Sequence, residues 1–120
     1  MYEHWIETDI SNLPSVEPIS ANIFTQDNES DLVGLKVFEN GREKPLSGTI
    51  KANVIRANGT TIEVTGSLDG NRAWIVLPSS AYAYVGKIGI YFRIESSGVI
   101  TTLGGMESYV RPSIVGTTIS

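Results

Sequence analysis

Apolar and polar residues alternate most cleanly over residues 87–95. Ile88, Ile90, Phe92 and Ile94 fall on one side, with Lys87, Gly89, Tyr91, Arg93 and Glu95 on the other. Successive strand side chains point to opposite faces, so this pattern predicts a strand with one face buried. It closes a longer run, residues 49–94, with four strand-like stretches: TIKANVIRA, TTIEVTG, AWIVL and KIGIYFRIE. Turn signals separate them at Asn58-Gly59, at LDGNR and at PSSAYAYVG. Asn-Gly tolerates positive φ at both positions, so Asn58-Gly59 predicts a type I′ hairpin turn. The run as a whole predicts one antiparallel sheet. Its expected core is Ile50, Ala52, Val54, Ile62, Val64, Ile75, Leu77, Ile88, Ile90, Phe92 and Ile94.

Residues 1–13 read as a short strand or extended arm anchored by Trp5 and Ile10, and Pro14 and Pro18 then interrupt pairing. Residues 19–25 are a further strand candidate, and QDNESD is a polar loop. Residues 32–39 form a strand, with Leu35 and Val37 facing away from Lys36 and Phe38. Asn40-Gly41 opens a second hairpin, whose loop is expected to extend through Arg42, Glu43 and Lys44. Pro78 with its flanking serines predicts one helical turn near residues 78–83, carrying the chain across to the opposite sheet. Ser96-Ser97-Gly98 is a turn, and residues 99–110 are a last strand, bulged at Gly104-Gly105.

This amounts to about seven or eight short strands and no segment of helical period, the pattern of an all-β sandwich. The Ala81-Tyr82 pair resembles a tyrosine corner, in which a phenol hydrogen-bonds the backbone at a crossover. With no cysteine, the expected class is an antiparallel immunoglobulin-like β-sandwich without a disulfide. The division is an N-terminal arm or edge strand over 1–18, the sandwich over 19–112 and a tail over 113–120.

A chain of 120 residues is most simply one domain. The formal net charge of −4 and the scattered Lys and Arg argue against a nucleic-acid partner. Met1 is followed by Tyr-Glu-His-Trp, so no secretory leader and no membrane span are expected. His4 is the one histidine, and it reads as a surface or packing residue rather than a catalytic base. The acidic loop of Asp27, Asn28, Glu29 and Asp31 offers oxygen ligands but not the spacing of an EF-hand, so it reads first as a solvated turn. Gly104-Gly105 lies in a strand pattern and opens no helix, so it cannot cradle a phosphate. No cofactor, metal or catalytic residue is expected. Aromatic residues exceed the needs of one small core. Tyr2, Trp5, Ile6, Trp74, Tyr84, Tyr91 and Tyr109 are therefore the candidate protein-interface residues. Trp74 is out of phase with Ala73, Ile75 and Leu77, and is expected to face outward with Val76.

Residues 19–110 resemble the N-terminal domain of phage baseplate upper proteins. The resemblance rests on Phe24 to Asn28 as strand and polar turn, on Val37 to Gly41, and on Pro45-Leu46-Ser47-Gly48. It also rests on the corner Leu77-Pro78-Ser79-Ser80-Ala81-Tyr82-Ala83-Tyr84-Val85-Gly86-Lys87. It implies a non-enzymatic immunoglobulin-like module of a virion, made in the host cytoplasm, whose partners are other phage virion proteins of the baseplate, tail, fibre or capsid. Baseplate upper proteins continue into helical and receptor-arm parts, whereas this sequence stops at Ser120. That departure opens the alternative of a capsid-surface decoration protein. A carbohydrate-binding adhesin domain is a third reading, since exposed aromatics stack on sugars. The arm over residues 1–9 is the expected docking element, onto another virion subunit or a second copy.

Overall fold

Strands whose apolar residues lie on one face must pair off in layers, and here two sheets close over a shared core. The computed structural model describes residues 2–11, 16–18, 24–25 and 31–112. Its strands are β1 (Tyr2–Asp9), β2 (Val16–Pro18), β3 (Phe24–Thr25), β4 (Asp31–Glu39), β5 (Arg42–Glu43), β6 (Thr49–Ile55), β7 (Thr61–Thr65), β8 (Ser67–Asp69), β9 (Arg72–Val76), β10 (Gly86–Ser96) and β11 (Val99–Arg111). Among the described residues, seven of these run to five residues or more, and β2, β3, β5 and β8 are shorter additions to the seven or eight short strands expected. One sheet has the order β1-β4-β9-β8, with β5 beside the end of β4. The other has the order β2-β11-β10-β6-β7, with β3 also on β11. The protein is an all-β sandwich.

Among the described residues, six of the nine strand pairs are antiparallel, four of them joined by hairpins. The exceptions all involve the N-terminal strands: β1 runs parallel to β4, and β2 and β3 run parallel to β11. No hairpin links those partners, so nothing in the local turn chemistry sets their direction.

Val33, Leu35 and Val37 of β4 and Ile50, Ala52 and Val54 of β6 are all buried in the shared core. Ala73, Ile75, Leu77, Ile88, Ile90, Phe92 and Ile94 join them, as do Leu103, Met106 and Val110 of β11. Ile62 and Val64, expected in the core, are half-buried at the rim, because β7 is an edge strand.

Four expectations change in detail. The stretch AWIVL (β9) lies in the opposite sheet from its neighbours β6, β7 and β10. The chain changes sheets at Gly66, whose N–H donates to the Ile50 carbonyl at 2.8 Å. A Cβ there would fall 2.2 Å from the Trp74 carbonyl oxygen, so only glycine allows this crossing. Asn58-Gly59 is not a type I′ turn. Residues 56–60 form a wider loop in which Asn58 Oδ1 accepts from the Thr60 N–H at 3.0 Å, and only Gly59 has positive φ, 87°. Asn40-Gly41 takes the tight form instead, with φ of 51° and 76°, so Arg42 and Glu43 are strand rather than loop. Finally, the bulge in β11 centres on Leu103. Phe92 pairs with Gly104 and Arg93 with Thr102, which leaves Leu103 as the extra residue, turned into the core.

The helical turn is a 3-10 helix, Ser79–Tyr82, and it does carry the chain from β9 in one sheet to β10 in the other. Residues 12–15, 19–23, 26–30 and 113–120 lie outside the described residues. The expected tail, most of the 19–25 strand candidate and most of the acidic loop fall there.

Candidate functional site

The outer face of the β1-β4-β9 layer carries both tryptophans. Trp5 pairs with Gly34, and Gly34 pairs with Trp74, so the three form one row across the sheet. The Trp5 ring lies on Gly34, where a Cβ would fall 2.4 Å from a ring carbon. The Trp74 ring meets it edge-on, 6.1 Å between centroids at 63°, the geometry favoured by the ring quadrupoles. Trp5 Nε1 donates to Glu3 Oε1 at 2.9 Å, which fixes the ring's outer edge. Val76, 41 % exposed, and half-buried Leu32 extend the apolar surface along the strands. Toward the other end of the face, Glu7, Lys36, Phe38, Glu43, Asp69 and Arg72 line a shallow groove of about 490 Å³. The face is thus apolar at one end and mixed-charge at the other.

Trp74 faces outward as expected, although Trp5 covers part of it. Ile6 does not join Trp5 in a common anchor. Adjacent strand residues point oppositely, and Ile6 packs against the core on the inner side of β1. Tyr2 pairs with Asp31 in the β1-β4 ladder.

The remaining tyrosine candidates lie on or beside the other sheet. Tyr91 lies over two glycines: a Cβ at Gly89 would fall 2.8 Å from its ring, and one at Gly105 2.7 Å. Its hydroxyl donates to Glu107 Oε2 at 3.1 Å. Burial, and then this bond to a carboxylate, push the phenol above its ordinary pKa. Lys87 Nζ lies 3.4 Å from the same carboxylate, and exposed Tyr109 pairs with Lys87 across the ladder. Exposed Tyr84 lies 5.2 Å from the Arg56 guanidinium. An open groove of about 300 Å³ runs between Ile55, Arg56, Lys87, Tyr91 and Glu107.

Beside it, charges are mutually satisfied. Arg93 bonds Glu63, donates to Glu95 at 3.0 Å and to Asn53 at 3.0 Å, and Lys51 lies 3.6 Å from Glu95. The carboxylate of Glu63 holds the Arg93 guanidinium above its ordinary pKa, and Arg93 holds Glu95 below its own. This face has spent most of its polar groups on itself, whereas the tryptophan face has apolar area to cover.

A third cluster is internal. Asp31, expected in a solvated or calcium-binding loop, is the first residue of β4 and wholly buried. Tyr82 donates to Asp31 Oδ2 at 2.6 Å, and His4 Nε2 is 2.8 Å from Oδ1. The carboxylate therefore ties β1 and the 3-10 turn to β4. The Tyr82 phenol is raised above its ordinary pKa, by burial first and then by the Asp31 carboxylate. Besides this carboxylate, the backbone of Asp31 hydrogen-bonds the phenol. Asp27, Asn28 and Glu29 lie outside the described residues. Sequence reasoning missed the cluster; its signal was an acidic residue opening an apolar strand. Among the described residues, no group of three His, Cys, Asp or Glu side chains could hold a metal ion, and no helix is long and apolar enough to cross a membrane.

Neither a protein-family model nor a curated protein matches the chain. Among solved structures it is similar to the N-terminal domain of phage TP901-1 ORF48, with a TM-score of 0.62 and 19 % identity over 92 % of this chain and 99 % of that one. CopC from Methylosinus trichosporium OB3b reaches a TM-score of 0.44 at 19 % identity over 81 % of this chain and 84 % of that one, a likeness too slight to carry anything over. The chain, a β-sandwich without cysteine, therefore shares the fold of a phage protein's N-terminal domain.

Proposed function

We propose that this chain is a non-enzymatic structural module of a phage particle, docking in the tail baseplate or fibre-attachment assembly. The observation that carries the reading is the fold likeness to a phage N-terminal domain along nearly the whole of both chains. The outer face of β1, β4 and β9 supplies the docking surface. Trp5 and Trp74 are large, held in fixed orientations by Gly34 and by each other, and bordered by charges. Rigid aromatics within a polar rim carry most of the energy of protein interfaces. The docking element is thus the Trp5 face of β1 together with β4 and β9, rather than a free arm. Mass spectrometry of purified particles of the encoding phage tests the reading. It should find the chain at fixed stoichiometry in tens of copies. Hundreds of copies would place it on the capsid surface instead, and its absence from particles would overturn the reading.

A further inference from the structure

An open strand edge presents unpaired N–H and C=O groups and recruits other strands unless it is guarded by charge, shortness or cover. Among the described residues, three of the four edges are guarded. β1 carries Glu3, Glu7 and Asp9, β8 is three residues long and ends in Asp69, and β7 has Glu63 at its centre. The fourth edge belongs to β11. There β2 covers Gly105 to Glu107 and β3 covers Val110 and Arg111. At Leu103 the carbonyl accepts from Thr8 Oγ1 at 3.0 Å, closing that position with a residue of the other sheet. Among the described residues, Val99 to Thr102 pair with β10 on one side only.

This open stretch reads Val-Ile-Thr-Thr: β-branched throughout, with no charge and no proline. Such residues have the highest preference for paired strands. Val99 and Ile100 are each 63 % exposed, more than any other large apolar side chain among the described residues. They project to opposite sides, so packing against the chain's own core explains neither.

We propose that the β11 edge from Val99 to Thr102 is a pairing site for the same edge of a second copy, the two running antiparallel about a twofold axis. Antiparallel self-pairing about a twofold axis at Ile100 sets Ile100 opposite its own copy and Val99 opposite Thr101, so that facing side chains share one side of the sheet. Every contact is then between β-branched residues, and no like charges meet. Charge supports a copy of itself over a charged partner strand, since among the described residues this is the one uncharged edge, the others carrying acidic residues. The β-branched pairing covers three residues of each strand, well under the area of a permanent interface. The association is therefore weak and concentration-dependent, and in a particle it would reinforce a separate docking contact.

Sedimentation of the purified chain from about 10 μM to about 1 mM, the range that populates so small a contact, tests this. The mean mass should rise from the 13.0 kDa of one chain toward twice that value. Ile100→Lys places a charge on the edge at an exposed position and should abolish the rise with the melting temperature unchanged. Trp74→Ser should leave it intact. A chain that stays monomeric throughout, a rise that survives Ile100→Lys, or a rise lost with Trp74→Ser alone would each overturn the proposal. The Trp74 variant also separates this edge from the tryptophan face, so either site can fail without the other.

Discussion

Replacing Tyr82 with phenylalanine removes one oxygen from the most buried polar cluster of the molecule. That hydroxyl donates at 2.6 Å to Oδ2 of a carboxylate with no solvent exposure. Water cannot replace it without opening the core, so one carboxylate oxygen loses its side-chain donor while the ring still fills its space. Hydrogen bonds to buried charged groups contribute about 1.5–3 kcal/mol. A chain of this length gains about 0.25 kcal/mol per kelvin of unfolding entropy, so the melting temperature should fall by roughly 6–12 °C. Urea unfolding should show the loss in the midpoint with an unchanged slope, since the exposed area is the same. The pH profile adds a second readout. Tyr82 in the fold holds its proton more tightly than the unfolded chain does. Its contribution is therefore complete below about pH 10, the ordinary tyrosine value, and declines as pH rises beyond it. Tyr82→Phe should lack that alkaline decline, and Tyr84→Phe, at an exposed site, should behave as the parent. A loss below about 0.5 kcal/mol, within the range of neutral surface changes, would refute the view of Asp31 as a buried tie.

Gly34→Ala places a Cβ 2.4 Å from the Trp5 ring; it should displace that ring, cost about 1–3 kcal/mol as overpacking does, and shift the tryptophan emission to longer wavelength. Asp9 accepts from Ser11 and from the N–H groups of Asn40 and Gly41, bonds that hold its pKa at about 2. Its grip on the β4-β5 turn should be complete above about pH 4 and lost as pH falls toward 2, visible as a shift of the Gly41 amide resonance with a midpoint near 2. Leu103→Ala should cost about 2–5 kcal/mol in denaturant unfolding, because the bulge puts that side chain in the core.

Strands with hairpin neighbours were legible because alternation and turn chemistry both act over a few residues. β10 and its four inward side chains appear as the sequence predicts, as does the crossover at Pro78. What the sequence left open depends on contacts between distant residues. The parallel pairing of β1 with β4 has no local signal, nor does the sheet change at Gly66, where a glycine in extended backbone looks like any other. Leu103 fills the core only because Phe92 and Arg93 skip it. The candidate site was half legible. Phase identified Trp74 as outward-facing, yet the same rule applied to β1 would have separated Trp5 from Ile6. Nothing local showed that Trp5 covers Gly34 from another strand, or that Asp31 meets Tyr82 and His4.

The proposed docking surface is tested most directly by particles assembled with Trp74→Ser or Val76→Ser in place of the parent chain. Both positions lie on the outer face, and Val76 is 41 % exposed, so neither change empties the core. Loss of a central interface tryptophan costs about 2 kcal/mol or more, roughly a thirtyfold drop in occupancy at limiting concentration. The account predicts that Trp74→Ser is depleted from purified particles by at least about tenfold, and Val76→Ser measurably less, while the isolated proteins melt cooperatively within a few degrees of the parent. Incorporation of folded Trp74→Ser at the parent level would contradict it.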